Sequence, residues 1–380
     1  MSADSDKDLT ILLTLWDRAA YTIRWMTYAT WRDFRFKIII ADGGSGEEIP
    51  GLLSDRTRFP RLDYEYIRYP YDRNYIDYLT KVLDALSRVQ TPFVVLADND
   101  DFFNPAGLRE ALHFLREHPD YSTCGGQYTY FSVEAAVAKN GAIAKEQVTG
   151  YKHRNDRRSD EEETASARLL KHAQVPREIL LYNVRRPQEL RIHYEAARRA
   201  NLKNLFLLET FVQFLTVING KSKRLDQFYL AKQLNSPQSS WDSYLRSNGG
   251  AFDQLLSPTW SDDFTKFLDI VSASLAEIDN VPMPQARELV RNAYRSWAAP
   301  EVLSSVLDEP SVSFSMPLLL QMTKSLLKIP RASRIRKAIS KVYRRQPWFD
   351  ANRGAEVSLS GDGSREELGL IAEFLATKAS

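Results

Sequence analysis

A chain of 380 residues with 43% hydrophobic content can bury the core of one large domain or two ordinary ones. Its 51 Lys and Arg against 49 Asp and Glu leave a formal net charge of +2, which excludes a whole-molecule electrostatic case for nucleic-acid or membrane binding, so any such partner needs a local patch. The single cysteine, Cys124, excludes an internal disulfide framework and a cysteine zinc cage, and it fits a reducing cytoplasm.

The opening MSADSDKD is polar and acidic, unlike a secretory leader, and no apolar window is long enough to predict a transmembrane helix. LTILLTL at 9–15 predicts a strand covered on both faces, and the segment from Arg18 to Thr30 a helix. FKIIIADGGS repeats the pattern of an apolar run followed by Asp and glycines. DYEYIRYP predicts a third strand, DRNYIDYLTKVLDAL a helix and PFVVLADNDD a fourth strand. Strands alternating with helices predict an α/β, doubly wound sheet whose ligands sit beyond the carboxyl ends of the strands.

Three strand ends then converge on one crevice: Thr14 to Arg18, Asp42 to Ser45, and Asp98 to Asp101. Crowded carboxylates at a strand end are tolerable if a divalent cation neutralises them, and hard oxygen ligands favour Mg2+ or Mn2+. Equally, Asp100 or Asp101 can cap the helix that begins at NPAGLREALHFL, with Pro105 in its first turn. Asp42 stands before Gly43 and Gly44, where Asp-Gly is also a common turn pair.

The charged stretch between 145 and 168 predicts a mobile loop. Amphipathic, mostly helical order resumes from LLYNVRRPQEL to a stop at Gly220, and RLDQFYLAKQLN predicts a short strand closing a first domain over 1–235. Residues 236–346 read as an appended C-terminal helical region. Within it, 324–345 carries nine Lys or Arg and no acid, interleaved with Leu and Ile, a basic amphipathic pattern able to lie on an anionic membrane surface or to pack on its own domain with a solvated face. Residues 347–380 read as a flexible tail whose ELGLIAEFLA predicts a terminal helix on a loose tether. No phosphate-cradling GxxxxGK[ST] loop and no GxGxxG occurs, which counts against a P-loop kinase and a dinucleotide oxidoreductase.

A strand ending TLWDR, a second ending IIIADGGS and the run FVVLADNDD together resemble the GT-A nucleotide-sugar glycosyltransferases, particularly family-2-like inverting enzymes of bacterial polysaccharide assembly. The resemblance covers roughly the first 235 residues, and its most specific element is the strand-terminal Asp-x-Asp of Asp98 and Asp100. It implies a Rossmann-like, mainly parallel sheet flanked by helices. The implied activity is metal-dependent transfer of a sugar from a nucleotide donor to a glycan or lipid-linked glycan, in the cytoplasm or peripherally on the inner membrane.

By the same resemblance Asp100 is the direct Mn2+ or Mg2+ ligand and Asp98 serves nucleotide and metal together, beside Asn99. Thr14, Leu15, Arg18 and Asp42 would hold the nucleotide, with Arg68 and Asn74 near the donor, and Trp16 and Tyr71 are candidates to stack on a ring. The family's catalytic acid lies about a hundred positions beyond the Asp-x-Asp near a helix start, where NLFLLETFVQFL supplies Glu209. Leu208 and Thr210 flank it in place of the usual Glu-Asp pair, so the base rests on one residue, with Asp156 and Glu161 to Glu163 as fallbacks. Arg185, Arg186 and His193 are candidates for the acceptor side. A nucleotidyltransferase of similar fold and a non-catalytic sugar- or nucleotide-binding relative remain as alternatives.

Overall fold

The computed structural model describes residues 3–137, 143–154, 159–174, 180–234, 236, 244, 247–307 and 362–377. Strands β1 (Leu9–Leu15), β2 (Lys37–Asp42), β3 (Tyr64–Arg68) and β4 (Phe93–Ala97) run parallel in the order β3-β2-β1-β4. Crossovers between parallel strands need connections long enough to hold a helix over the sheet, and these are α1 (Ala19–Trp31), α2 (Glu48–Ser54) and α3 (Tyr75–Ser87). Both faces are covered, so the strands read as continuous apolar runs: every residue of β1 except Thr14 is buried. The register sets Leu15 beside Asp42 and Asp42 beside Arg68, and pairs Leu13 with Ala97, so that Asp98 follows one step beyond.

Past β4 the sheet becomes mixed. A two-residue strand β5 (Phe102–Phe103) precedes α4 (Pro105–Glu117), and β6 (Tyr121–Val137) and β7 (Ile143–Arg154) form a long antiparallel pair. After α5 (Ala165–His172), β8 (Val184–Arg185) inserts antiparallel between β4 and β6. Helices α6 (Pro187–Ala200) and α7 (Leu205–Asn219) lead to β9 (Lys221–Gln233), parallel to β6 and antiparallel to β5.

Within the loop expected over 145–168, residues 145–154 belong instead to β7 and 165–168 to α5, while 155–158 lie outside the described residues. Among the described residues β7 pairs with β6 alone, so it forms an edge of the sheet, where a charged composition is tolerated and hides it from a hydrophobicity reading. The strand expected in RLDQFYLAKQLN is longer, beginning at Lys221 directly after the α7 stop at Gly220.

The later helices are α8 (Ala251–Leu255), α9 (Trp260–Asp279), α10 (Met283–Leu307) and α11 (Asp362–Thr377). The apolar stripes of α9 and α10 close over α7 in one cluster: Phe267 meets Phe211 and Phe214 at ring-centroid distances of 6.2 and 5.8 Å. The basic run at 324–345 lies outside the described residues, as do Asp156 and most of the tail.

The terminal helix α11, expected from ELGLIAEFLA, docks against the sheet and α1. Leu368, Ile371, Phe374 and Leu375 are buried, Phe374 stacks on Trp31 at 5.5 Å and meets Phe102 edge-on at 5.9 Å, and Arg32 clasps Glu367 at 2.6 Å. A fully buried phenylalanine truncated to alanine leaves both lost transfer energy and a cavity. Phe374→Ala is therefore expected to cost about 3–5 kcal/mol in urea unfolding; a loss below about 1 kcal/mol would mean that α11 does not belong to the core.

Candidate active site

The turn between β1 and α1 is strained. Asp17 and Arg18 both take left-handed backbone angles, φ 57° and 65°, a conformation that costs a branched or long side chain roughly 1 kcal/mol or more and persists only where neighbours hold it. They do: Asp17 Oδ1 accepts from the Ser45 amide at 2.7 Å and the Gly46 amide at 3.4 Å. Arg18 donates to Asp100 Oδ2 at 2.9 Å and to the Ser236 hydroxyl, and lies 4.4 Å over the Tyr21 ring. The glycines after β2 permit this crowding, because a Cβ on Gly44 would stand 2.7 Å from the Asp17 amide nitrogen and one on Gly43 2.4 Å from the Asp72 carboxylate.

Asp42 is buried at the same corner. Its Oδ1 accepts from the Gly44 amide at 2.8 Å, the turn role open from its sequence, and its Oδ2 accepts from the Tyr66 hydroxyl at 2.7 Å. A carboxylate oxygen has a second lone pair, so both retain capacity for a ligand. Arg68 reaches to within 3.9 Å of Asp42 and donates to the Gly46 carbonyl at 3.0 Å. Leu15 serves through its backbone: its carbonyl accepts from the Gly43 amide at 3.0 Å and from Lys81, whose ammonium also pairs with buried Asp72. Trp16 and Tyr71 stack at 6.2 Å, with Tyr71 exposed. Asn74 is the N-cap of α3, its side chain accepting from the Ile76 and Asp77 amides at 2.9 and 3.1 Å.

Beyond β4 the acidic turn divides its labour. Neither Asp100 nor Asp101 caps α4; Asn104 does, accepting from the Ala106 amide at 3.1 Å with Pro105 in the first turn. Asn99 is buried against Thr22, donating to its hydroxyl at 3.1 Å. Asp98 accepts from the Tyr182 hydroxyl, Asp100 from Arg18, and Asp101 from the Lys232 ammonium and the Gln233 amide. Burial raises the Asp98 carboxyl above the ordinary range, with Lys232 opposing and Asp100 adding to the rise, whereas Asp100 is lowered overall because Arg18 and Lys232 outweigh its desolvation. The Asp98, Asp100 and Asp101 carboxylates offer oxygens that all lie within 4.8 Å of one another. An all-oxygen acidic set that close, with Asp98 destabilised as an anion, fits a small hard divalent cation.

Helix α7 faces this corner. Asn204 caps it, accepting from the Leu207 amide at 3.1 Å, while buried Asp263 accepts from the Lys203 and Asn204 amides and Tyr244 receives the Leu205 amide. The helix start is thereby fixed, and one turn on it presents Glu209. Burial pushes the Glu209 carboxyl up to about 7, the Lys232 ammonium pulling it down and the Asp98 charge adding to the rise. Among the described residues no hydrogen bond or ion pair fastens it.

The carboxyl ends of the strands thus bring Thr14, Leu15, Arg18, Asp42, Arg68, Asp98, Asn99 and Asp100 to one end of the sheet, with Glu209 of α7 within electrostatic reach of Asp98. They do not bring Arg185, Arg186 or His193 there. β8 runs antiparallel to β4 with Arg185 opposite Val94, so the chain passes Tyr182 to Asp98 and then leads away, leaving Arg185 about 13 Å back along the strand. Arg185 is buried and donates to the Leu180 carbonyl and to Thr216, and Arg186 donates to the Tyr121 and Leu115 carbonyls. His193 is buried with Asn219 at 2.6 Å, and burial lowers it to about 3. Glu161 and Glu163 pair with Lys223 and Lys221 at the far end of β9, and Glu162 with Lys171.

Two site residues escaped the sequence reading, Tyr182 and Lys232. Only the alternation of LAKQ, with a lone cation amid apolar residues, hinted at Lys232.

Residues 27–180 match the family model described as Glycosyl transferase family 2. Among solved structures the fold is similar to residues 1–349 of TarS from S. aureus, at 12% identity and TM-score 0.49 over 80% of this chain and 76% of that one. Full-length TarS aligns at 12% identity and TM-score 0.46 over 80% of this chain and 46% of its own. The mannosyltransferase PcManGT from Pyrobaculum calidifontis, in complex with GDP-Man and Mn2+, aligns at 11% identity and TM-score 0.43 over 89% of this chain and 88% of that one. No curated protein matches the chain.

Proposed function

From the match of residues 27–180 to the Glycosyl transferase family 2 model, we propose that the chain is a family-2-like GT-A glycosyltransferase, an inverting, metal-dependent enzyme passing a sugar from a nucleotide-sugar donor to a hydroxyl of a glycan or lipid-linked glycan. The observation that carries this reading is the convergence of Glu209 with Asp98 and Asp100 on one side of the sheet, two kinds of carboxylate in contrasting environments.

Asp98 and Asp100 are the residues that would hold Mg2+ or Mn2+, which when bound supplies Lewis-acid stabilisation of a diphosphate leaving group. Arg18, pre-aimed at Asp100 by its strained turn, lies where a phosphate oxygen can compete for its guanidinium. Asp42 and Arg68 offer a nucleoside an acceptor and a donor at the rim, and Trp16 with Tyr71 a stacking face. Glu209, partly desolvated and unfastened, takes the proton of the acceptor hydroxyl as it attacks. A single displacement with one base inverts the anomeric centre. Among the described residues no helix is long and apolar enough to cross a membrane.

The test is a screen of nucleotide sugars for thermal stabilisation with and without Mn2+, followed by product stereochemistry with the stabilising donor. A donor at 100 times its Kd should add about 2.7 kcal/mol of stability. Stabilisation that ignores the metal, or a product of retained configuration, overturns the reading.

A further inference from the structure

Lys232 is the charged group that neither the sequence pattern nor the proposed chemistry accounts for. Its side chain is mostly buried, with 14% exposed. It donates to Asp101 Oδ2, sits 3.8 Å over the centroid of the Tyr182 ring, and lies near enough to Asp98, Asp100 and Glu209 to act on each electrostatically. Tyr182 in turn donates its hydroxyl to Asp98, so the lysine stands between the two outer members of the acidic turn.

The end of β9 that carries Lys232 is locked from behind. Gln233 donates its amide to Asp101 Oδ1 at 3.1 Å, and its side-chain oxygen accepts from Arg24 at 2.8 Å. Arg24 is buried, holds Glu146 of β7 at 2.8 Å through one terminal nitrogen, and lies 4.4 Å from the centre of the Tyr21 ring. Both oxygens of Asp101 are thus engaged by consecutive residues of one immobilised strand, unlike those of Asp98 and Asp100.

We propose that Lys232 is a tethered cation of the donor corner, which withholds Asp101 from a divalent metal and leaves Asp98 and Asp100 to bind it. The inference rests on the metal-dependent reading above. Three carboxylates, Asp98, Asp100 and Asp101, face two fixed cations, Arg18 and Lys232, so the acidic turn with its two cations carries a formal charge of −1 before any ligand arrives, Glu209 standing outside that set. A dication alone meets a site already mostly neutralised and is repelled by the ammonium at close range. A nucleoside diphosphate supplies the missing negative charge, so metal and donor bind together far better than the metal binds alone. Lys232 also stays in place as the leaving group accumulates charge, a donor that needs no reorganisation.

The test titrates Mn2+ alone into the full chain and follows the free ion by electron paramagnetic resonance, comparing wild type, Lys232→Met, Lys232→Gln and Lys232→Arg. Removing the ammonium frees Asp101 and lifts the repulsion, so both neutral variants are expected to bind Mn2+ at least about tenfold more tightly than wild type, while the arginine variant stays near it. The glutamine variant keeps a hydrogen-bond donor for Asp101, which preserves the fold if methionine does not. Equal Mn2+ affinity in wild type and the folded neutral variants overturns the role of Lys232 and leaves the metal-dependent transferase standing. Absence of Mn2+ binding in all four, with or without a nucleoside diphosphate, overturns both.

Discussion

Glu209→Gln is expected to lower transfer by about 10²–10⁴-fold while leaving donor binding unchanged. Glutamine keeps the shape and can accept a hydrogen bond, but it cannot take up the proton that the acceptor hydroxyl must lose. Donor affinity is spared because no described side chain depends on Glu209 for a hydrogen bond or ion pair. Burial holds the carboxyl at about 7, and the base works only when deprotonated. For wild type, kcat/KM therefore rises with pH through about 7 and levels off above it. The glutamine variant lacks that limb. Initial rates across pH, with an independent measure of donor Kd, check both parts; a glutamine variant turning over at the wild-type rate would assign the proton to another group.

Asp100→Ala is expected to abolish the metal-dependent part of donor stabilisation and to slow transfer by about 10²–10³-fold, the scale on which loss of one charge-stabilising group at a reacting centre is felt. The fold should survive. Asp100 lies on a turn beyond the strand, and the guanidinium it abandons retains the Ser236 hydroxyl and the Tyr21 ring. The contrast with Glu209 is the useful part: one variant loses metal linkage together with catalysis, the other loses catalysis alone. Melting temperatures with a nucleoside diphosphate, with and without Mn2+, make the comparison. An alanine variant showing the wild-type metal increment would remove Asp100 from the metal shell.

The parallel half of the sheet was legible because burial on both faces leaves a direct imprint. LTILLTL, KIIIAD and FVVLA each hold a short, mostly apolar run rich in β-branched residues or Leu, and in a chain of alternating strands and helices runs of that length read as buried strands. The β6–β7 pair was not legible: β7 lies at an edge, and Glu146 within it is buried only because Arg24 from α1 meets it there. The cap of α4 shows the same limit at short range. DNDDFFNP offers several carboxylates and amides as caps, and the choice of Asn104 leaves the three aspartates to cluster with one another.

The four parallel strands between residues 9 and 97, and the placing of Arg18, Asp42 and the Asp98 to Asp101 turn beyond their carboxyl ends, follow from the residues alone, because apolar runs and strand-terminal polar residues are local properties. That Tyr182 and Lys232 share the corner, that Arg185 and Arg186 turn away from it, and that the terminal helix braces Phe102 behind the acidic turn came from the folded arrangement alone. Those outcomes depend on the direction in which β8 and β9 enter the sheet and on pairings between residues far apart in the chain. Strand direction is set by the packing energy of the whole sheet, and no short stretch of residues encodes it.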